Sequence, residues 1–119
     1  MGTRAQVFIQ DSYSDDASKG VYLYQHWDGD YLFQEVQNAI AKGDRWNDPE
    51  YLTRIIFCEM VKTFDQVDGS TGYGIGTSQH GDIEYLVIVD IENQNVIEDN
   101  LNTGKRTVKK FSECRKEEI

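Results

Sequence analysis

Residues 22–33, Tyr-Leu-Tyr-Gln-His-Trp-Asp-Gly-Asp-Tyr-Leu-Phe, hold five aromatics, a histidine and two acids in one run. Their order predicts a strand that turns sharply into a helix. Val21 to His26 reads as a strand, because Val21, Tyr22, Leu23 and Tyr24 supply β-branched and aromatic content. Asp28-Gly29 is a turn signal, since Gly tolerates positive φ and Asp bonds its own backbone. Asp30 stands where a helix N-cap belongs. Leu32, Phe33, Val36, Ala39 and Ile40 then follow at helical spacing.

Upstream of this junction, Ala5, Val7 and Ile9 alternate with Arg4, Gln6, Phe8 and Gln10. This predicts a half-buried strand, with Phe8 breaking the pattern. The polar stretch from Ser12 to Gly20 joins it to the second strand as an antiparallel pair. Downstream, the first helix is expected over Asp30–Lys42, with Gly43 as its stop. Asp48-Pro49-Glu50 starts a second helix: an N-cap acid, Pro at the first helical position, and an acid in the first turn. Leu52, Ile55, Ile56, Met60 and Val61 form its stripe. Tyr51, Phe57 and Cys58 widen that stripe, so it is expected to be the more buried helix.

A loop is expected over Asp65–Thr71. Beyond it, Tyr73, Ile75 and Thr77 alternate with Gly72, Gly74 and Gly76, giving a strand with one bare face. Ser78 to Gly81 turns the chain. Ile83 to Ile91 is the strongest strand, with Ile83, Tyr85, Val87, Val89 and Ile91 on one face and Leu86 and Ile88 on the other. Apolar residues on both faces suit a central position. Glu92 to Asn95 reads as a hairpin loop, Val96-Ile97 as the return, and Asn100 to Gly104 as a further loop. Thr107 to Phe111 reads as a weak last strand, and residues 112–119 form a charged tail expected to fray. Residues 1–111 thus make a single α+β domain. Its core is an antiparallel sheet of four to six strands with two helices packed on one face, in the order ββααβββ.

A chain of 119 residues with 39% hydrophobic and 28% charged content fits one ordinary globule. The formal charge is −9, divided as −12 over residues 1–104 and +3 over residues 105–119. An acidic body repels phosphates, which argues against direct nucleic-acid binding and for a basic partner surface or plain solubility. Cys58 and Cys114 are too few and too scattered for a disulfide framework or a zinc knuckle. No apolar run reaches membrane-spanning length and no signal-peptide pattern opens the chain, so a cytoplasmic setting is expected. Position 6 is Gln, so the myristoylation pattern after Gly2 fails.

Two His-x-Asp triplets are the foremost chemical candidates: His26-Trp27-Asp28, followed by Asp30, and His80-Gly81-Asp82. In a strand, residues i and i+2 share a face, so imidazole and carboxylate could converge on a divalent metal or form a base with its orienting acid. The plainer reading is turn chemistry at Asp28-Gly29 and Gly81-Asp82. Arg4 is expected to meet Asp28 or Asp30, as a structural ion pair or as a contact to an anionic ligand. The candidate ligand-binding set is therefore Arg4, His26, Trp27, Asp28, Asp30, His80 and Asp82, with the metal question open. The comb from Gly72 to Ser78 lacks a P-loop lysine and a following helix, and no Gly-x-Ser-x-Gly elbow exists. No motif calls for a cofactor, and no catalytic residue is assigned.

The opening Met-Gly-Thr-Arg at residues 1–4 and the Tyr-Gln-His-Trp-Asp-Gly run at 24–29 resemble a group of small phage and prophage proteins of uncharacterised activity. Arg45-Trp46 with Tyr51-Leu52, and the Gly-x-Gly-Ile strand before His80-Gly81-Asp82, extend that resemblance over roughly residues 1–90. It implies a phage or prophage setting and carries over no activity. Two function classes remain. One is a non-enzymatic accessory protein that binds a host or phage protein, with an acidic inhibitor of a defence system as one version. The other is a small-ligand or divalent-metal protein or enzyme with its site at the His26–Asp30 junction. A homodimer covering the exposed aromatics stays open beside both.

Overall fold

The computed structural model describes residues 3–62 and 72–117. The loop expected over Asp65–Thr71 lies outside them. Six strands form one sheet: β1 (Ala5–Gln10), β2 (Gly20–Gln25), β3 (Tyr73–Gly76), β4 (Tyr85–Asp90), β5 (Asn95–Asn100) and β6 (Arg106–Lys110). Two helices, α1 (Leu32–Ile40) and α2 (Pro49–Val61), lie between β2 and β3 in sequence. The spatial strand order is β3-β2-β1-β4-β5-β6. Every neighbouring pair is antiparallel except β1 and β4, which run parallel, Val7 opposite Val87. The α+β class and the helices on one face are as the sequence implies. The weak last strand read over Thr107–Phe111 is present as β6 and completes the order ββααββββ, while the parallel pair is new.

Ala5, Val7, Ile9, Leu23, Val87, Val89 and Val96 face the helices and pack with Leu32, Val36, Ala39, Ile40, Leu52, Ile56 and Met60. These side chains are almost completely withdrawn from water. β1 and β4 sit at the centre, which is why both carry apolar residues on both faces.

The helices correct two expectations. A short 3-10 turn, Gly29–Tyr31, precedes α1. Asp30 lies within that turn and does not cap the helix: α1 begins after Tyr31, without a side-chain cap. Nor is α2 the more buried helix. In α1 every residue except Gln34 is buried, whereas α2 buries Pro49, Leu52, Ile56, Glu59 and Met60 along one side. The reason is that α1 is enclosed by the sheet, by α2 and by the C-terminal segment. Gln34 donates to the Arg115 carbonyl at 3.0 Å, and Asn38 exchanges hydrogen bonds with the Glu117 backbone at 2.8 and 2.9 Å. Phe111 and Cys114 are buried in the same place. The tail expected to fray from Ser112 is thus tied down through Glu117. The start of α2 is as read: the Asp48 carboxylate accepts from the N–H groups of Glu50 and Tyr51, ahead of Pro49. Gly43 adopts φ 77° and ends the first helical segment.

Candidate functional site

β2 delivers Tyr24 and His26 to the face of the sheet away from the helices, since they alternate with Leu23 and Gln25. The Tyr24 hydroxyl and His26 Nδ1 are hydrogen-bonded at 2.8 Å. The Trp27 ring meets His26 edge-on, with centroids 5.1 Å apart. The segment from Thr77 to Asp82 crosses the same face on its way from β3 to β4. Gln6 on β1 holds it: its amide donates to the Ser78 carbonyl at 3.3 Å and its oxygen accepts from the His80 N–H at 2.8 Å. Gln6 is buried beneath the crossing, and His80 stacks on Tyr24 at 4.6 Å. The two histidines, 54 positions apart in the chain, therefore meet on one tyrosine ring.

Other expected pairings do not form. Asp28 leaves the strand in the left-handed region, φ 55°, so His26 and Asp28 do not share a strand face. Asp82 turns from His80 to Arg4, at 3.7 Å. Arg4 thus meets neither Asp28 nor Asp30, both of which stay exposed. Two glycines fix the junction by close approach. A Cβ on Gly29 would fall 2.6 Å from the Thr3 carbonyl, whose oxygen accepts from the Gly29 N–H. A Cβ on Gly72 would collide with the Trp27 ring. Arg45 and Trp46, ahead of α2, make contacts within the fold. Arg45 lies 4.6 Å over the Tyr51 ring, while Trp46 donates to the Ile40 carbonyl and packs against Phe111. Among the described residues, no group of three His, Cys, Asp or Glu side chains is placed to hold a metal ion. Burial pushes the Cys114 thiol up to about 11, so it stays protonated.

Beneath the junction, on the helix side, lies a polar group that the sequence reading missed. Gln25 is buried and donates to the carbonyls of Trp27 and Asp28, at 2.8 and 3.2 Å. Glu35 on α1 is hydrogen-bonded to the Gln25 amide. Glu35 Oε1 and Gln25 Oε1 lack partners among the described residues. Burial raises the Glu35 carboxyl to about 7; the charges of Asp28 and Glu59 add to this, while the Gln25 bond and Lys62 oppose it. Tyr73 is raised by burial and by the carboxylates of Glu35 and Asp28. Glu59 is also buried, but Lys62 at 2.5 Å and Lys42 at 3.5 Å overcome the burial and lower it. Helical arithmetic sets both acids beside the apolar stripes but does not mark them as buried. Glu35 falls three residues after Leu32 and four before Ala39, and Glu59 three after Ile56.

The opposite end of the sheet gathers acids around Tyr13, whose side chain is 70% exposed. A largely apolar cleft of about 530 Å³ lies on one side, lined by Tyr13, Ile9, Val21, Pro49 and Ile75, with Asp11, Glu50 and Lys19 also contributing. An open cleft of about 580 Å³ lies on the other, with Arg45, Asn47, Asp48 and Gln94. Asp15 and Glu92 line a third hollow beside them. Five acids thus face two bases around one exposed aromatic.

Comparison with known protein families, with curated proteins and with solved structures finds no match.

Proposed function

We propose that this chain is a non-enzymatic binding protein, an accessory protein of a phage or prophage that engages a host or phage protein through its acidic end. The observation that carries the reading is the exposed Tyr13 between two clefts that hold Asp11, Glu50 and Asp48, beside a third hollow that adds Asp15 and Glu92. An exposed tyrosine in a sculpted surface is the usual anchor of a protein interface. The surrounding acids speed encounter with a basic partner, such as the nucleic-acid groove of a defence nuclease, and select for it. The overall charge of −9 acts in the same direction.

A second reading, a small-ligand or metal site at the His26–Asp30 junction, is favoured by the meeting of His26 and His80 on Tyr24. Native mass spectrometry of the protein purified from a bacterial host separates the two. The first reading predicts a stoichiometric protein complex that disappears in an Asp15→Lys, Glu50→Lys, Glu92→Lys triple variant and in Tyr13→Ala, each with the circular dichroism spectrum of the folded chain. A complex indifferent to all four substitutions sinks it. A small mass increment lost in His26→Ala supports the second.

A further inference from the structure

The helices cover one face of the sheet, and the other face carries a continuous apolar row. The register aligns Gly76, Tyr22, Phe8, Ile88, Ile97 and Val108 straight across all six strands. Phe8 lies under Tyr22, with ring centroids 4.7 Å apart; Ile88 and Ile97 are half-buried; Val108 is 52% exposed. Polar positions flank the row. On one side stand Asp90, Asn95 and Lys110, and on the other Asp99, Arg106 and the segment crossing over Gln6. The strand residues of this face include two acids, Asp90 and Asp99, and two bases, Arg106 and Lys110. Asp99 and Arg106 are already joined by two hydrogen bonds of 2.7 and 2.8 Å. The face is therefore neutral on a chain of charge −9.

We propose that this face is the seat of a second copy of the chain, packed sheet to sheet about a two-fold axis that runs along the strands. Charge selects the occupant. A basic partner is drawn to the acidic end, whereas two copies of so acidic a chain can touch without opposing like charges where their surfaces are neutral. Shape selects the axis. An axis along the strands sets β6 of one copy against β3 of the other. Val108 then meets the side-chain-free Gly76, and the raised crossing segment over Gln6 and Tyr24 meets the uncrossed half of the second copy at Leu86 and Asp99, the positions level with it. An axis across the strands would instead set Arg106 against Lys110 of the second copy. The aligned arrangement is also the ordinary way two sheets stack.

Six strands spaced about 4.8 Å apart and three side-chain rows give a face of about 29 by 17 Å, so roughly 1,000 Å² is covered over both copies. That is the threshold of a specific interface, and a reversible dimer follows. It goes beyond the proposed partner binding and uses a different surface.

Sedimentation velocity over about 1 to 300 µM protein, in about 0.3 M NaCl to screen the two acidic ends, tests it. The mass is expected to rise from 13.7 kDa toward twice that value. Val108→Lys and Ile97→Lys are each expected to hold it at the monomer value with unchanged circular dichroism. The Val108 position is already exposed, so its variant folds even if Ile97→Lys does not. In a Cys58→Ser background, a mixture of Gly76→Cys and Val108→Cys proteins is expected to cross-link where neither does alone. A monomer at every concentration, a dimer that survives Val108→Lys, or Val108→Cys linking to itself overturns the proposal. None of these outcomes touches the acidic-end reading, whose triple variant is expected to leave the dimer intact.

Discussion

Glu35 is the residue on which the junction's chemistry turns. Its carboxyl keeps a proton to about pH 7 in the folded chain, because burial and the nearby Asp28 and Glu59 disfavour the anion. In the unfolded chain it loses that proton near 4.5. Between those values the folded state binds more protons, so this group's stabilising contribution is full below about 4.5. It drains away as the pH climbs through 7. A shift of that size corresponds to roughly 3 kcal/mol. Glu35→Gln keeps the shape and the hydrogen bond to Gln25 while removing the proton equilibrium. Thermal melts are expected to show the wild type losing stability from pH 5 to pH 8, and Glu35→Gln flat over that range and more stable at pH 8. Parallel pH profiles for the two proteins would assign the proton elsewhere. The sequence hid Glu35 for a physical reason. A glutamate beside an apolar stripe is ordinarily solvated, and only the placement of Glu35 against Gln25, with Asp28 and Glu59 near, withdraws this one from water.

At the scale of elements, the legible parts are those governed by local chemistry. Asp48-Pro49 starts α2 because an N-cap carboxylate and a proline act within one turn. The alternation over Tyr85–Asp90 marks a strand with two apolar faces for the same local reason. What local chemistry could not give is the path of residues 77–82 across the open face, which depends on Gln6, more than 70 positions away. Read alone, Gln6 is merely the polar half of an alternating strand. In the fold it is a buried clamp that sets His80 on Tyr24. The triplets therefore pointed to the right neighbourhood but the wrong pairings. Gln6→Ala removes both hydrogen bonds, leaving the Ser78 carbonyl and the His80 N–H to find water. A loss on the order of 1–2 kcal/mol is expected, together with faster amide exchange at His80. Exchange at His80 that stays as slow as in the wild type would mean that ring stacking alone holds the crossing.

For the whole molecule, the parallel β1–β4 pair shows how topology and charge are settled together. β3 joins the sheet beside β2, so the chain must cross back over the open face to add β4 on the far side of β1. The crossing leaves the loops that join β1 to β2 and β4 to β5 at one end, with the start of α2 beside them. Acids spread evenly through the sequence thereby concentrate in space around Tyr13. Such crowding destabilises the compact state through self-repulsion, over distances that salt shortens from about 30 Å at 0.01 M to about 10 Å at 0.1 M. Against it stand, among the described residues, a few attractive pairs. Arg4–Asp82 is largely solvated, Arg106–Asp99 is solvated on the arginine side, and the Lys42 and Lys62 pairs with Glu59 are solvated on the lysine side. Solvated pairs contribute little. Repulsion should therefore dominate the salt response, and the melting temperature at pH 7 is expected to rise between about 0.01 and 0.3 M NaCl. The same rise should shrink in the Asp15→Lys, Glu50→Lys, Glu92→Lys variant, whose acidic end is relieved. A melting temperature that falls with salt would show that the ion pairs outweigh the crowding, and that the acidic end costs the fold too little to need a binding role to explain it.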